Sequence, residues 1–179
     1  MSDLDEYRKY VRRLAEARSS EIICNADKDH ATILLTELVR NSENNLRILC
    51  KNMDPEVTGD TYYINAMTEF LDKENSEVKI LMTDHYKDES IFNTSKIYDL
   101  FKKYKDKITL KYIKEDELNL VSIDGELLNF TLSDDAAFRF ETDVDNNMAL
   151  GCFNDRETVN VLNEKFYASF DLCKNQIHL

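Results

Sequence analysis

The sequence predicts an α/β protein whose sheet is mixed, with parallel strands first and antiparallel strands later. Apolar segments of strand length alternate with amphipathic helical segments as far as residue 113, an order typical of parallel strands joined by helical crossovers. Four further strand-like segments follow with only short polar turns between them, which favours antiparallel pairing. A last amphipathic helix closes the chain and completes the prediction of a sheet flanked by helices.

The first part of the chain alternates four predicted helices with four predicted strands. The helices have apolar residues at the i, i+3, i+4 spacing and fall at 3–18, within 25–45, at 62–74 and at 95–107. The strands are short apolar runs at 20–25, 46–50, 77–84 and 108–113. Residues 51–60 contain the only proline and one of three glycines, so we predict a loop there.

The second part of the chain is predicted to contain strands at 118–124, 126–133, 136–142 and 146–153. The first two flank the dipeptide Asp124–Gly125, which is a strong signal for a β-hairpin turn. A helix is predicted over 154–173, where Asn154 or Asp155 suits the N-cap and Glu157 would complete a capping box.

Composition limits the classes of function. The formal charge of −12 and pI near 4.7 argue against broad electrostatic binding to nucleic acid or to an anionic membrane. The four cysteines form no CxxC pair, and the N-terminus lacks the apolar core of a signal peptide, so we expect reduced thiols and a cytoplasmic protein. With few glycines and prolines to form a linker, we assign residues 1–20 to a helical extension and 21–179 to one domain.

The order of elements resembles a single phospholipase D-like domain. The signature of that family is His-x-Lys-x4-Asp on a strand and turn. With the signature's Asp aligned on Asp124, the Lys position falls at Asn119 and the His position at Glu117. The segment 144–172 also resembles the end of the family's domain, where a strand leads through a polar turn into a helix ending in aromatic residues. The resemblance covers about residues 21–172.

The resemblance implies a degenerate active site, because in the family the histidine attacks phosphorus and the lysine stabilises the charge on the phosphoryl oxygens. A carboxylate at Glu117 would repel a phosphodiester, and Asn119 donates hydrogen bonds without a positive charge. We therefore expect no catalytic residues and a pseudoenzyme that acts as a protein-binding adaptor, sensor or regulatory subunit. Family enzymes with one motif per chain commonly pair two domains, so we expect a homodimer, and small proteins of this kind suggest a bacterial defence or restriction system.

An alternative is a phosphodiesterase, nuclease or small-ligand-binding protein with a rebuilt site around His30, His85 and Asp124. His30 and Asn25 come near the start of a helix, where backbone N–H groups favour an anion, and His85 follows the end of a strand. Those positions lie on the sheet edge where this architecture places ligands. Each histidine also has a simpler interpretation as a surface residue, and Asp124 as a turn residue.

Arg139 is the remaining candidate for ligand binding. It alternates with Phe138 and Phe140, so its side chain should point to the opposite face of the sheet, where it pairs with an acidic residue or reaches a ligand. Asp134 and Asp135 could bind a divalent cation, but a turn between antiparallel strands explains them more simply. We therefore predict no metal site and no cofactor.

Overall fold

A computed structural model describes residues 2–83, 92–143, 146 and 148–179. Its helices, numbered in chain order, are α1 (Asp3–Glu16), α2 (Lys28–Arg40), α3 (Pro55–Thr58), α4 (Thr61–Asp72), α5 (Lys96–Lys103) and α6 (Arg156–Leu172). Its strands are β1 (Ile23–Asn25), β2 (Asn45–Cys50), β3 (Glu77–Met82), β4 (Ile108–Tyr112), β5 (Ser122–Ile123), β6 (Glu126–Leu127), β7 (Phe130–Ser133), β8 (Ala137–Asp143), β9 (Met148–Cys152) and β10 (Gln176–Ile177). No helix within the described ranges is long and apolar enough to cross a membrane.

The main sheet has eight strands in the order β1-β9-β8-β7-β2-β3-β4-β10 among the described residues. The pairs β2–β3 and β3–β4 are parallel, and β7, β8 and β9 pair antiparallel, so the predicted mixed sheet is confirmed. β1 pairs antiparallel with β9 at the outer edge. Since four antiparallel steps separate β1 from β2, the two strands still run in the same direction.

One face of the sheet carries a core formed with α1, α2, α4 and α5. Its fully buried members include Leu34, Leu38, Met67, Phe70, Ile80 and Phe101. Each such side chain contributes about 1.5–3 kcal/mol when it is withdrawn from water. Gly151 on β9 lets α2 approach closely, because a Cβ there would lie 2.7 Å from Leu34 Cδ2.

The opposite face carries a second core under α6. Val159, Leu162, Phe166 and Phe170 of that helix pack against apolar residues of the central strands. The rings of Phe166 and Phe170 stack with centroids 5.1 Å apart. The apolar stripe of the predicted last helix therefore forms the centre of the second core.

The predicted strand over 118–124 is wrong for most of its length. Residues Glu115–Val121 form a 3₁₀ helix, and only Ser122–Ile123 are extended. Leu118 and Val121 both pack into the second core, whereas Leu120 is 39% exposed. Residues three apart share a face in a 3₁₀ helix, so the burial follows a period of three and not the period of two that predicted a strand.

The hairpin predicted at Asp124–Gly125 is confirmed, although its strands β5 and β6 have two residues each. Ile123 pairs with Glu126 across the turn, and both turn residues have positive φ, 52° and 86°. That backbone matches the turn geometry for which Asp-Gly is preferred.

Smaller differences concern helix ends. The loop predicted at 51–60 contains α3, which begins at Pro55 after the N-cap Asp54. The last helix has Asp155 as its N-cap, with its side chain accepting from the Thr158 N–H. The third helical position is therefore Thr158, so Glu157 stands one residue too early to complete the expected capping box.

Candidate functional site

A cavity of about 290 Å³ opens at the carboxyl edge of the parallel strands. It lies between α2, α3 and the sheet, next to the ends of β2 and β8 and the start of β7. The carboxyl edge is where open α/β sheets generally bind ligands. The volume is close to the lower limit of small-molecule sites, so the cavity suits a small ligand.

The floor of the cavity is built by neighbouring strands in register. Ile48 pairs with Thr131, and Thr131 pairs with Arg139, so the three side chains project side by side from one face. Asn129 connects the chain on either side of it. Its Oδ1 accepts from the Lys51 N–H at 2.6 Å, and its backbone oxygen accepts from the Glu141 N–H at 2.9 Å. The positions of these side chains are therefore set by the sheet.

The wall opposite the sheet is held by ion pairs between α2 and α3. The Lys28 ammonium lies 3.1 Å from an Asp54 carboxylate oxygen and also pairs with Glu56. The hydrogen bond to Glu56, and to a smaller extent the one to Asp54, raises the pKa of Lys28 above its ordinary value. Lys28 is thus already neutralised by residues of the protein.

Arg139 is the most buried charged group at the cavity, with 4% of the residue exposed. Its Nε donates to Asn25 Oδ1 at 2.7 Å, and its Nη1 donates to Glu141 Oε1 at 2.6 Å. Nη2 is buried and has no hydrogen-bond partner among the described residues. A buried donor without an acceptor costs about 1–3 kcal/mol, which an acceptor in the cavity would offset.

Two further donors at the cavity have no partner in the described part of the chain. Lys51 uses its backbone N–H for Asn129, but its ammonium forms no ion pair there. Thr131 is 7% exposed and lines the cavity, and its hydroxyl takes part in no described hydrogen bond. The lining residues thus include three with donors that no described residue accepts: the exposed Lys51 and the buried Thr131 and Arg139.

The groups that could act as nucleophiles at the cavity are held neutral. Burial, with a smaller contribution from Glu141, raises the pKa of the Cys50 thiol well above its ordinary value. Burial likewise raises the pKa of the Tyr63 phenol. A thiol with a raised pKa is a poor nucleophile. No histidine is among the described lining residues.

The structure brings two of the five predicted ligand-binding residues together, since Arg139 contacts Asn25 directly. Arg139 also points away from Phe138 and Phe140, which pack in or against the second core. His30 lies in the first turn of α2, but its ring stacks on Tyr7 of α1 with centroids 3.8 Å apart, and it is not among the described lining residues of the cavity. His85 lies outside the described residues.

The residues that the resemblance assigns to the motif are not among the described residues that line the cavity. Asp124 is exposed at the hairpin turn. Glu117 accepts from Asn175 Nδ2 at 3.4 Å, and the Asn119 backbone oxygen accepts from Ser122 Oγ at 3.4 Å. The neighbouring Leu120 oxygen accepts from Ser169 of α6 at 2.9 Å, which places this segment beside the second core.

Sequence reasoning missed Lys51, Asn129, Thr131 and Glu141. A signal existed for Glu141, because it stands two residues after Arg139 on the same strand and so shares its face. Thr131 lies on β7, and Asn129 directly precedes that strand. Both residues were missed because no local pattern encodes the register of β7 against β8. In the sequence, Lys51 cannot be distinguished from an ordinary surface lysine. Its position directly after β2 brings it to the cavity.

Asp134 proves to have a structural role. Its carboxylate accepts the backbone N–H groups of Glu43, Asn44 and Asn45 at 2.7, 2.8 and 2.9 Å. Asp135 instead lies 3.5 Å from Arg156 on the surface. Within the described ranges, no group of three or more His, Cys, Asp or Glu residues is arranged to hold a metal ion.

No family model matches this sequence, and no curated protein matches it either. Solved structures do match. Nuc from Salmonella typhimurium, a phospholipase D family member, is 11% identical with a TM-score of 0.54, and the match covers 87% of this chain and 98% of that one. NucT from Helicobacter pylori is 15% identical with a TM-score of 0.55 over the same shares.

TrmBL2, an archaeal chromatin protein, is 15% identical with a TM-score of 0.61. The match covers 97% of this chain, which spans 62% of the length of TrmBL2. At these identities the likeness concerns the fold alone. The chain therefore has a phospholipase D-like fold, with the N-terminal helix α1 and a mixed sheet between helices.

Proposed function

We propose that this chain, with its phospholipase D-like fold, is a regulatory module that binds a small polar ligand and does not cleave phosphodiesters. The observation that carries the proposal is Arg139: a nearly buried guanidinium beside a cavity, with Nη2 unpartnered among the described residues. Buried charges are normally fully paired, so an unsatisfied donor at a cavity points to an occupant. A sensor or regulatory subunit is the role that a ligand site without a nucleophile supports best.

The proposed lack of catalysis is supported by the motif positions. Glu117 and Asn119 stand where the family has its nucleophile and its phosphate-binding lysine, and they lie on a 3₁₀ helix away from the cavity. The rebuilt site around His30, His85 and Asp124 has less support. Asp124 is exposed in a turn and His30 stacks on Tyr7, so these two do not meet.

A regulatory module transmits its state to another macromolecule, and we propose a second copy of this chain as the first partner. Ile22, Met148 and Leu150 are 48%, 46% and 38% exposed at the β1 end of the sheet. β1 is an edge strand in the described sheet, and such edges readily pair with another chain. Sedimentation velocity of the native chain and of Leu150→Asp tests this: we expect a dimer that the charge dissociates, and a native monomer contradicts it.

Nucleic acid is the other partner to consider. The charge of −12 disfavours it, but TrmBL2, which shares the fold, is described as binding DNA. We favour the small ligand because the donors without described partners belong to residues that line one cavity. We place the protein in the cytoplasm, since all four cysteines are unpaired.

The first experiment separates binding from catalysis. Purified protein is incubated with single- and double-stranded DNA, RNA and bis(p-nitrophenyl) phosphate, with and without Mg²⁺, and DNA binding is followed by gel shift. We expect neither cleavage nor a shifted band. Cleavage that is lost in His30→Ala and Asp124→Ala would establish the rebuilt enzyme site and overturn the proposal.

The second experiment looks for the ligand without assuming its identity. The protein is dialysed to equilibrium against the low-molecular-weight fraction of a cell extract, and the compounds enriched on the protein side are identified by mass spectrometry. We expect enrichment with the native chain and none with Ala31→Leu, which fills the cavity from α2. Equal enrichment with both proteins, at matched melting temperatures, contradicts binding at this cavity.

A further inference from the structure

We infer that the cavity binds a small monoanion through its carboxylate group, with the Nη2 of Arg139 and the Nζ of Lys51 as donors and the Thr131 hydroxyl contacting a neighbouring polar atom. This inference rests on the proposed ligand-binding function and names the chemical class of the ligand. It uses three lining residues that sit on adjacent strands, β2, β7 and β8, or immediately after one of them.

The hydrogen bonds of Arg139 leave its Nη2 without a described acceptor. Guanidinium has five N–H donors in a fixed planar fork. Asn25 takes Nε and Glu141 takes Nη1, at 2.7 and 2.6 Å, and both partners hold the plane of the group in place. Nη2 is the part of the fork without a described partner. A preoriented donor of this kind recognises an anionic oxygen well.

Every cation at the cavity except one is paired with a carboxylate. The lining contains the cations Lys28, Lys51 and Arg139 and the anions Asp54 and Glu141. Lys28 is paired with Asp54 and also with Glu56, which stands outside the lining, and Arg139 is paired with Glu141. Lys51 is the cation left without an ion pair in the described ranges. The ammonium of Lys51 is therefore the positive charge available to an anionic group of the ligand, and one such group suits a monoanion.

The same charges disfavour a phosphate dianion. Glu141 and Asp54 are both part of the lining, and a second negative charge on the ligand would be repelled by them. A carboxylate presents two oxygens, which matches the two cationic donors. The apolar part of the lining, with Leu35, Ile48, Met53 and Val57, would contact a short carbon skeleton.

The test compares three classes of compound of similar size by differential scanning fluorimetry and isothermal titration calorimetry. The carboxylate arm contains lactate, pyruvate and gluconate, the phosphate arm glycerol 3-phosphate, and the neutral arm glycerol and glucose. We expect at least one carboxylate to raise the melting temperature in a concentration-dependent way, and no phosphate or polyol to do so. Because the contact involves charge, raising the salt concentration should weaken it.

Three variants besides Arg139→Met test the inference, so that it can still be contradicted if Arg139→Met does not fold. Lys51→Gln should weaken carboxylate binding about tenfold, as expected for the loss of a charge-assisted hydrogen bond. Thr131→Val, which removes a hydroxyl without changing volume much, should weaken it less. Lys165→Gln, a lysine exposed on α6, is the matched control and should leave binding unchanged.

The outcomes separate this inference from the proposed function. Stabilisation by glycerol 3-phosphate or a polyol alone, or carboxylate binding unaffected by Lys51→Gln, overturns the carboxylate assignment but keeps the ligand-binding function. If no compound in any arm binds, the carboxylate assignment fails. If, in addition, the dialysis experiment enriches nothing, the proposed function fails with it.

Discussion

Arg139 shows how much one residue can determine. It is buried, it ties β1 to β8 through Asn25, and it is neutralised by Glu141. Removing one partner of a buried charged pair leaves the other unpaired, which generally costs more than removing both. Because Arg139 is buried, it both contributes to the packing between β1 and β8 and lines the cavity.

Asp134 provides the prediction at the residue scale. Asp134→Ala should lower the free energy of unfolding by about 2–4 kcal/mol, because three backbone N–H groups lose a charged acceptor. The matched control is Asp135→Ala, whose side chain is 69% exposed beside Arg156 and should change stability by less than about 0.5 kcal/mol. Urea denaturation of the three proteins measures the difference. Equal effects would show that Asp134 is only a surface turn residue.

At the scale of elements, the N-terminal helix α1 packs against the rest of the protein, and we expect it to unfold together with the domain. Val11, Leu14 and Ala15 are buried in the first core. Its basic face also lies against the chain itself: Arg12 is 3.7 Å from Glu37, and Arg8 lies over the Tyr62 ring at 4.7 Å. The basic residues of the extension therefore contact an acidic residue and an aromatic ring of the same molecule.

Leu14→Ala tests this integration of α1. We expect the single unfolding transition to lose about 2–4 kcal/mol, the usual cost of deleting buried methyl groups. Glu16→Ala, on the exposed side of the same helix with a side chain 70% exposed, should be nearly neutral. Circular dichroism during urea denaturation measures both. A main transition unchanged by Leu14→Ala would mean that α1 folds independently of the domain.

The N-cap of α6 predicts a pH dependence. The Thr158 hydroxyl, and then the Thr158 N–H, hold the pKa of Asp155 below its ordinary value of 3.8. An acid with a lowered pKa in the folded state stabilises the protein above its unfolded pKa and loses that effect as the pH falls through the folded value.

Asp155→Ala should therefore cost about 1 kcal/mol at pH 7, and the difference from the native chain should shrink below about pH 4. Urea denaturation at pH 7, 5 and 3 measures it. Thr158→Val keeps the backbone hydrogen bond but loses the hydroxyl, so it should show a smaller cost. A difference that grows on acidification contradicts this interpretation of the cap.

At the scale of the whole molecule, both faces of the sheet are covered by apolar cores, and the candidate ligand site lies at the carboxyl edge of the parallel strands. The cavity opens on the face covered by α2, while the segment holding Glu117 and Asn119 packs beside α6. The fold therefore separates the candidate ligand site from Glu117 and Asn119, the positions that the resemblance assigns to the motif.

Restoring the family's residues tests this separation. Glu117→His combined with Asn119→Lys should produce no phosphodiesterase activity on bis(p-nitrophenyl) phosphate. Residues two apart share a face on a strand, but on a 3₁₀ helix they are rotated by roughly 240°, so the two side chains would not converge. A melting temperature close to that of the native chain controls for folding. Turnover by the double variant that is absent from Glu117→His alone would show a dormant active site.

The sequence by itself determined the class of fold, the two directions of strand pairing, the Asp-Gly hairpin and the face on which Arg139 lies. These features depend on local periodicity and turn preference, which are properties of adjacent residues. The burial of Leu118 and Val121 on a 3₁₀ helix was missed, because a short apolar segment fits more than one period.

Only the tertiary structure decided which side chains share the cavity. Asn25 and Arg139 are 114 positions apart and meet because β1 returns to the sheet beside β9. Lys51 and Thr131 line the same cavity only because β2 pairs with β7. Strand order and register arise from contacts between distant segments, and these leave no local pattern in the sequence.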